Sequence, residues 1–310
     1  SLMKNDIAEA KKYLKILEGI PKADYIAKRS NVLITLKQGN YDEAEEILKT
    51  FCEEYPKDTW FFEKLSSLHS VKKDWVEASK VIQKVGFSKS PKIKNLIANL
   101  KIFTGDEPPD ALRISNRSIN VIIEVIKFYL DKSDVKKASS VVEKNWSNFY
   151  CLDIVKTFVS YKIEDNSDSL RRFKLISKVL KNSFNKSSES KLALAYAAYE
   201  ASMWGESQQN LDLIPLEDWD SRVKELYEDL SKKSLKIKIP MIPDDIKMEP
   251  LWSCEICDSK YKKWEFICKN CENVNTLNWP KSKLLDNQKR ENELLNILLK
   301  NPLSHLPKMK

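Results

Sequence analysis

Two stretches decide how this chain is read: Tyr41-Asp-Glu-Ala44-Glu-Glu-Ile47-Leu48 and Trp75-Val-Glu-Ala78-Ser-Lys-Val81-Ile82, which superpose when the sequence is shifted by 34 residues. In both, an aromatic residue opens the run, an alanine follows three positions later, and two large aliphatics close it. Steps of three and four residues place these side chains on one face of a helix, and a small residue in the middle of that face lets a second helix approach closely. Gly39 stands just before the first run and Pro56 follows it, where a helical hairpin would turn and end. Working outward, Asp134-Val-Lys-Lys-Ala138-Ser-Ser-Val-Val142 and Met203-Trp204-Gly205-Glu206-Ser207, ahead of Leu211, repeat the small-residue chemistry without the strict period. Segments 119–130, 170–180 and 192–203 carry apolar residues at helical spacing. Breakers at Gly105-Asp-Glu-Pro108-Pro109, Asp165-Asn-Ser-Asp168 and Asn185-Lys-Ser-Ser188 separate them.

Thirty-four residues is the period of the tetratricopeptide helical hairpin, and the two runs with their punctuation resemble that family. The expected fold is all-α: a tetratricopeptide-like α-solenoid of helical hairpins over residues 1–235, followed by a small C-terminal module of zinc-ribbon or rubredoxin-like type. Residues 236–251 read as an extended, proline-containing linker. Lys-Ile-Lys-Ile-Pro240-Met-Ile-Pro243 alternates too regularly and holds too many prolines to continue a helix, so it is expected as a free linker or a strand laid on the array. Residues 252–280 form the cysteine module, and 281–310 a Lys-rich tail with one amphipathic helix near 284–299.

Composition narrows the function. Five glycines stand far apart, so neither a Walker nor a Rossmann phosphate cradle is present. His69 and His305 are the only histidines, and no activated nucleophile with a base beside it is visible. His69 falls where a repeat buries a side chain. An enzyme is therefore not expected. The balance of 53 basic against 45 acidic residues gives +8 and a mild bias toward acidic partners or an anionic surface. Apolar runs such as Val121-Ile122-Ile123 are far too short to cross a bilayer. The opening Ser1-Leu2-Met3 has no secretory signature and is read as an internal boundary, with a native N-terminal segment, including any membrane anchor, missing.

Four of the six cysteines lie in Cys254-Glu-Ile-Cys257, ten intervening residues, and Cys268-Lys-Asn-Cys271. Each Cys-x-x-Cys aims two sulfurs at one point, and two such knuckles close a tetrahedron of thiolates with no open position for substrate. Structural zinc is the expected occupant. Iron in a rubredoxin-like centre uses the same ligands, and a pair of disulfides is the third alternative; it would leave Cys52 and Cys151, read as lone buried thiols on helices, as odd remainders. Trp252, Tyr261, Trp264, Phe266 and Trp279 surround the knuckles and supply core that so small a module otherwise lacks. They predict a module docked on the last hairpin, around Trp204, Leu211 and Trp219.

Degenerate repeats followed by this cysteine pattern resemble two bacterial families. The Met203-Trp204-Gly205-Glu206 helix and the module framed by Trp252, Trp264 and Trp279 are similar to the C-terminal half of HemY-like proteins, whose N-terminal helices anchor them in the inner membrane and whose repeats are associated with haem biosynthesis. LapB, the lipopolysaccharide assembly adaptor, has a similar plan and a rubredoxin-type tail. Both resemblances imply a non-enzymatic scaffold at the cytoplasmic face of the bacterial inner membrane, binding proteins such as membrane-associated biosynthetic enzymes. The chain departs from the rubredoxin pattern where glycine usually follows the second cysteine of each knuckle: Asp258 and Glu272 stand there, and Glu suits left-handed backbone poorly. Trp252-x-Cys-x-x-Cys and its spacing also resemble the Ran-binding-type zinc finger, which reads single-stranded RNA or ubiquitin. Tyr261 replaces that family's asparagine, and the loop offers Lys260, Lys262 and Lys263 without arginine, so nucleic acid is not the expected partner. By repeat register Arg29, Lys37, Trp60 and Glu63 lie on first helices and are the candidate partner contacts; the same positions also fit packing or solvated roles.

Overall fold

A computed structural model describes residues 6–21, 23–86, 90–181, 187–241 and 246–280, so the expected tail helix lies outside the described residues. The chain forms two compact units, Ser1–Gly105 and Asp106–Lys310. In the first, α1 (Ile7–Glu18), α2 (Asp24–Lys37), α3 (Tyr41–Glu54), α4 (Thr59–Val71), α5 (Trp75–Gln83) and α6 (Pro91–Phe103) each pack on the next. The second begins with α7 (Pro108–Ile114), α8 (Ile119–Asp131), α9 (Val135–Phe149), α10 (Leu152–Ser160) and α11 (Asn166–Lys181). It continues through α12 (Ser188–Glu200), α13 (Trp204–Asp212) and α14 (Ser221–Lys233). Here α10 packs against α8, α9, α11 and α12, and α14 closes over α12 and α13. This is the expected helical-hairpin repeat, and His69 is buried in α4 as its place in the repeat requires.

Four hairpins share one turn. Gly39, Lys73, Ser133 and Ser202 all adopt left-handed backbone, with φ of 77°, 61°, 55° and 58°. The following amide in each case reaches back five residues to close the helix end: Asn40 N to Thr35 O at 3.2 Å, Asp74 N to His69 O at 2.9 Å, Asp134 N to Tyr129 O at 2.8 Å, and Met203 N to Ala198 O at 2.9 Å. Asp74 and Asp134 then cap the next helix through Glu77 N and Lys137 N. Only the first turn uses glycine, which hides the motif from a search for glycine punctuation. The left-handed region costs a non-glycine residue about 1 to 2 kcal/mol, offset in part by glycine's larger unfolded-state entropy. Lys73→Gly is therefore expected to stabilise the first unit by about 0.5 to 1 kcal/mol, read from urea midpoints. A loss of stability would mean that the Lys73 side chain contributes more than its backbone costs.

Beyond each turn the small residue is buried. Ala44, Ala78, Ala138 and Ser207 are fully inaccessible, each five residues after its left-handed position. At one hairpin Ser66 of α4 donates its hydroxyl to the Ala78 carbonyl of α5 at 2.8 Å; at another Ser207 of α13 donates to the Ala195 carbonyl of α12 at 2.7 Å. The two positions are equivalent, with serine and alanine exchanged between the helices, so each crossing keeps one hydroxyl and one bare methyl. Ala78→Leu forces extra volume into this contact and should cost about 1 to 3 kcal/mol. A variant that melts like the parent would remove Ala78 from the crossing.

Buried Arg172 of α11 finishes α10 by donating to the carbonyls of Phe158, Tyr161 and Lys162 at 3.1, 2.7 and 3.2 Å. These are carbonyls a helix end leaves without internal partners. Of the two expectations for the segment after α14, the described residues do not form a strand laid on the array. The segment touches the array through Gln208 Nε2, which donates to Lys238 O at 3.2 Å, but Leu235 and Met241 are 102% and 95% exposed. The isoleucine and methionine alternation therefore does not lay an apolar face on the helices. The chain rejoins the second unit where Ser221 N donates to Lys247 O at 2.9 Å.

Candidate metal centre

Three short strands, β1 (Trp252–Cys254), β2 (Lys260–Tyr261) and β3 (Leu277–Asn278), form an antiparallel sheet in the order β2, β1, β3. The sheet brings the two knuckles face to face. Within the first, Asp258 N donates to Cys254 O at 3.0 Å and Cys254 N to Ser259 O at 3.0 Å. Within the second, Glu272 N donates to Cys268 O at 2.8 Å and Cys268 N to Asn273 O at 3.0 Å. The knuckles are thus internal copies. Asp258 and Glu272 both take φ of 56°, so the glutamate accepts the left-handed turn that its residue type disfavours.

The four sulfurs lie within 4.8 Å of one another, with Cys254 to Cys271 at 3.7 Å and Cys257 to Cys268 at 3.6 Å. A tetrahedral ion with bonds of about 2.3 Å to sulfur needs sulfur separations of about 3.8 Å, so the thiols already stand at the corners a metal would require. A disulfide needs about 2.05 Å, well short of these separations, and the six cysteines are free in this structure. Burial pushes the Cys271 thiol up to about 12. Burial acts on Cys257 in the same sense, but its hydrogen bonds with Ser259 and Asn270 prevail and bring it to about 6.

Tyr261 is committed to the centre. Its hydroxyl lies 3.1 Å from Cys268 Sγ and accepts the Asn270 amide at 3.2 Å. Asn273 Nδ2 donates to Cys271 Sγ at 3.4 Å, and Thr276 Oγ1 lies 3.3 Å from Cys254 Sγ. Behind the sulfurs, the rings of Trp252 and Trp279 pack at 5.2 Å, both buried. Trp279 Nε1 donates to the carbonyl of Tyr150, the left-handed residue that ends α9. The module therefore docks, as its aromatic content predicts, but on the corner between α9 and α10. Of the expected cover, Leu211 and Trp219 are buried, Trp219 with its indole on Ile214 O at 2.9 Å, and half-buried Trp204 packs on Tyr199 at 5.4 Å.

The docking corner rests on a cluster that sequence reading missed. Arg222 of α14 donates both terminal nitrogens to Glu189 of α12, at 2.7 and 2.9 Å, and also binds Asp220 through Nε and Nη2 at 3.0 and 2.7 Å. Glu189 accepts the Leu152 amide at 3.3 Å as well. Burial holds the Asp153 carboxyl above its usual range, and it pushes the Cys151 thiol up. Cys151 sits at the N-cap of α10 rather than within a helix, whereas Cys52 lies in α3, its thiol pushed up to about 11 by burial.

The candidate partner contacts fall in the first unit. Arg29 of α2 lies 4.4 Å from the Tyr25 ring and 4.8 Å from the Trp60 ring, and it pairs with both oxygens of Asp58, the N-cap of α4, at 3.0 and 3.2 Å. Arg29 and Trp60 are thus brought together, as parts of the joint between hairpins. Glu63 pairs with Lys92 of α6 at 2.6 Å, and Lys37 is exposed at the end of α2.

No helix among the described residues is long and apolar enough to cross a membrane. No protein-family profile matches the chain, and no curated protein is similar to it in sequence. Among solved structures it is similar to a tetratricopeptide repeat protein from Parabacteroides merdae, at 13% identity and a TM-score of 0.37, over 74% of this chain and 93% of that one. It is also similar to the tetratricopeptide domain of P58(IPK), at 17% identity and a TM-score of 0.27, over 76% of this chain and 77% of that one.

Proposed function

We propose that the chain is a non-enzymatic scaffold that binds partner proteins through the first-helix face of its repeats and carries a structural zinc ion on Cys254, Cys257, Cys268 and Cys271. The observation that carries the scaffold reading is the row of fixed side chains across α2, α4 and α6. Arg29 is locked between Tyr25 and Trp60, and Glu63 is tied to Lys92, so the face is ordered before a partner arrives. Zinc is the reading for a closed structural four-thiolate site, and iron on the same ligands is the alternative. The HemY-like resemblance gives the finer reading: a protein of the inner membrane that gathers enzymes of haem biosynthesis. A LapB-like adaptor role is the alternative.

The RNA or ubiquitin reading loses ground because Trp252 is buried against Trp279, its ring closed to a base, and the Tyr261 hydroxyl is engaged by Cys268 and Asn270. Cross-linking in bacterial cells from a photoreactive residue at Lys64, beside Trp60, tests the scaffold. Tetrapyrrole enzymes among the products support the HemY-like role, and a membrane protease with a lipid A enzyme the LapB-like role. Products unchanged by Trp60→Ala and Glu63→Lys would remove the groove assignment.

A further inference from the structure

On several helices of this protein a surface lysine pairs with an acid one turn away. Lys49 pairs with Glu45, Lys80 with Glu77, Lys127 with Glu124, Lys137 with Asp134 and Lys232 with Asp229. The outer face of α11 breaks this habit. Arg171, Lys174, Lys178 and Lys181 are all exposed, and none makes an ion pair among the described residues. Steps of three, four and three residues put the four cations on one line, about 15 Å long. Three consecutive like-charge pairs at this spacing destabilise a helix by a few tenths of a kcal/mol each. The helix dipole accounts for Lys178 and Lys181 in the last turn, but not for Arg171 and Lys174, which lie nearer the positive end.

We propose that this stripe is a second binding surface, distinct from the first-helix face, and that its occupant is a short acidic helical segment of a partner protein. A helix with carboxylates at the same three- and four-residue steps presents anions at the spacing of the four cations, so the two rods pair side by side. The exposed positions of α11 carry no aromatic ring on which a base could stack and no large apolar side chain to enter a lipid interface. Exposed Glu164 and Asp165, in the turn before α11, close one end of the stripe with negative charge. A phosphate backbone running past that end would be repelled, whereas a segment of three turns fits inside it.

The test uses the full chain and a labelled, alanine-rich peptide bearing four glutamates at three-, four- and three-residue spacing, followed by fluorescence anisotropy. Binding should weaken as salt rises, and a peptide with lysines in place of the glutamates should not bind. Lys174→Glu turns two repelling pairs into attracting ones, so its melting temperature should equal or exceed the parent's while peptide affinity falls about tenfold or more. Lys178→Gln, which adds no new charge, should weaken binding by a smaller factor. Absence of salt-sensitive peptide binding, an unchanged affinity in both variants, or tighter binding of duplex RNA or phosphatidylserine vesicles through the same residues would overturn the proposal.

Discussion

Arg222→Ala is expected to destabilise the second unit by about 3 to 5 kcal/mol, the range for removing one partner of a buried ion pair. The side chains of Arg222, Glu189 and Asp220 are only 9%, 1% and 7% exposed, so solvent cannot replace the guanidinium once it is gone. Two carboxylates would then face each other in the interior without the guanidinium between them. The loss also reaches connectivity, because the guanidinium joins α14 to α12 while Glu189 joins α12 to the start of α10. A companion variant separates charge from packing: Glu189→Met combined with Arg222→Met removes both members of the fork and fills much of the same volume. It should recover a large part of the stability lost in the single variant, since a buried pair replaced by apolar side chains is often close to neutral. Urea unfolding of the two variants and the parent checks this. A single variant within about 1 kcal/mol of the parent would mean that water reaches the cluster.

That cluster shows where sequence reading runs out. Ala44 and Ala78 were legible because a helix crossing demands a small residue at a fixed place in a fixed period, and that demand is written locally. The four cysteines were legible for the same reason: two-residue gaps in each knuckle dictate where the sulfurs point. Arg222 and Glu189 come from helices 33 residues apart with no periodic signal, and their pairing depends on how α14 returns over α12. The module's docking place was misread on the same ground. Its tryptophans predict a cover, but Trp219 and Leu211 are claimed first by α14 and the body of the array. The turns lie between these cases. Lys73, Ser133 and Ser202 occupy the place that Gly39 holds, and their order relative to Ala78, Ala138 and Ser207 was available in the sequence once the left-handed position was known.

Cys268→Ser should release the metal and unfold the module while leaving most of the helix content in place. A serine hydroxyl cannot replace a thiolate in a tetrahedral sulfur site, and metal binding in modules of this size carries apparent free energies of about 10 to 16 kcal/mol that are folding free energy. About thirty residues cannot bury enough surface to stay folded without it. The parent should carry about one metal ion per chain by elemental analysis, and the variant none. Trp252 and Trp279, now 3% and 6% exposed, would enter water, shifting tryptophan emission to the red with little change in far-ultraviolet circular dichroism. A metal-free parent with four reactive thiols and unshifted emission would refute the centre. The variant also loses the bond from Trp279 to Tyr150 O, directly beside the Leu152 amide that Glu189 holds. Cys268→Ser and Arg222→Ala therefore act on one corner, and their costs should not add: once α10 has lost Glu189 as a partnered cap, the module has less ordered surface to dock on, and removing it costs less than it does in the parent.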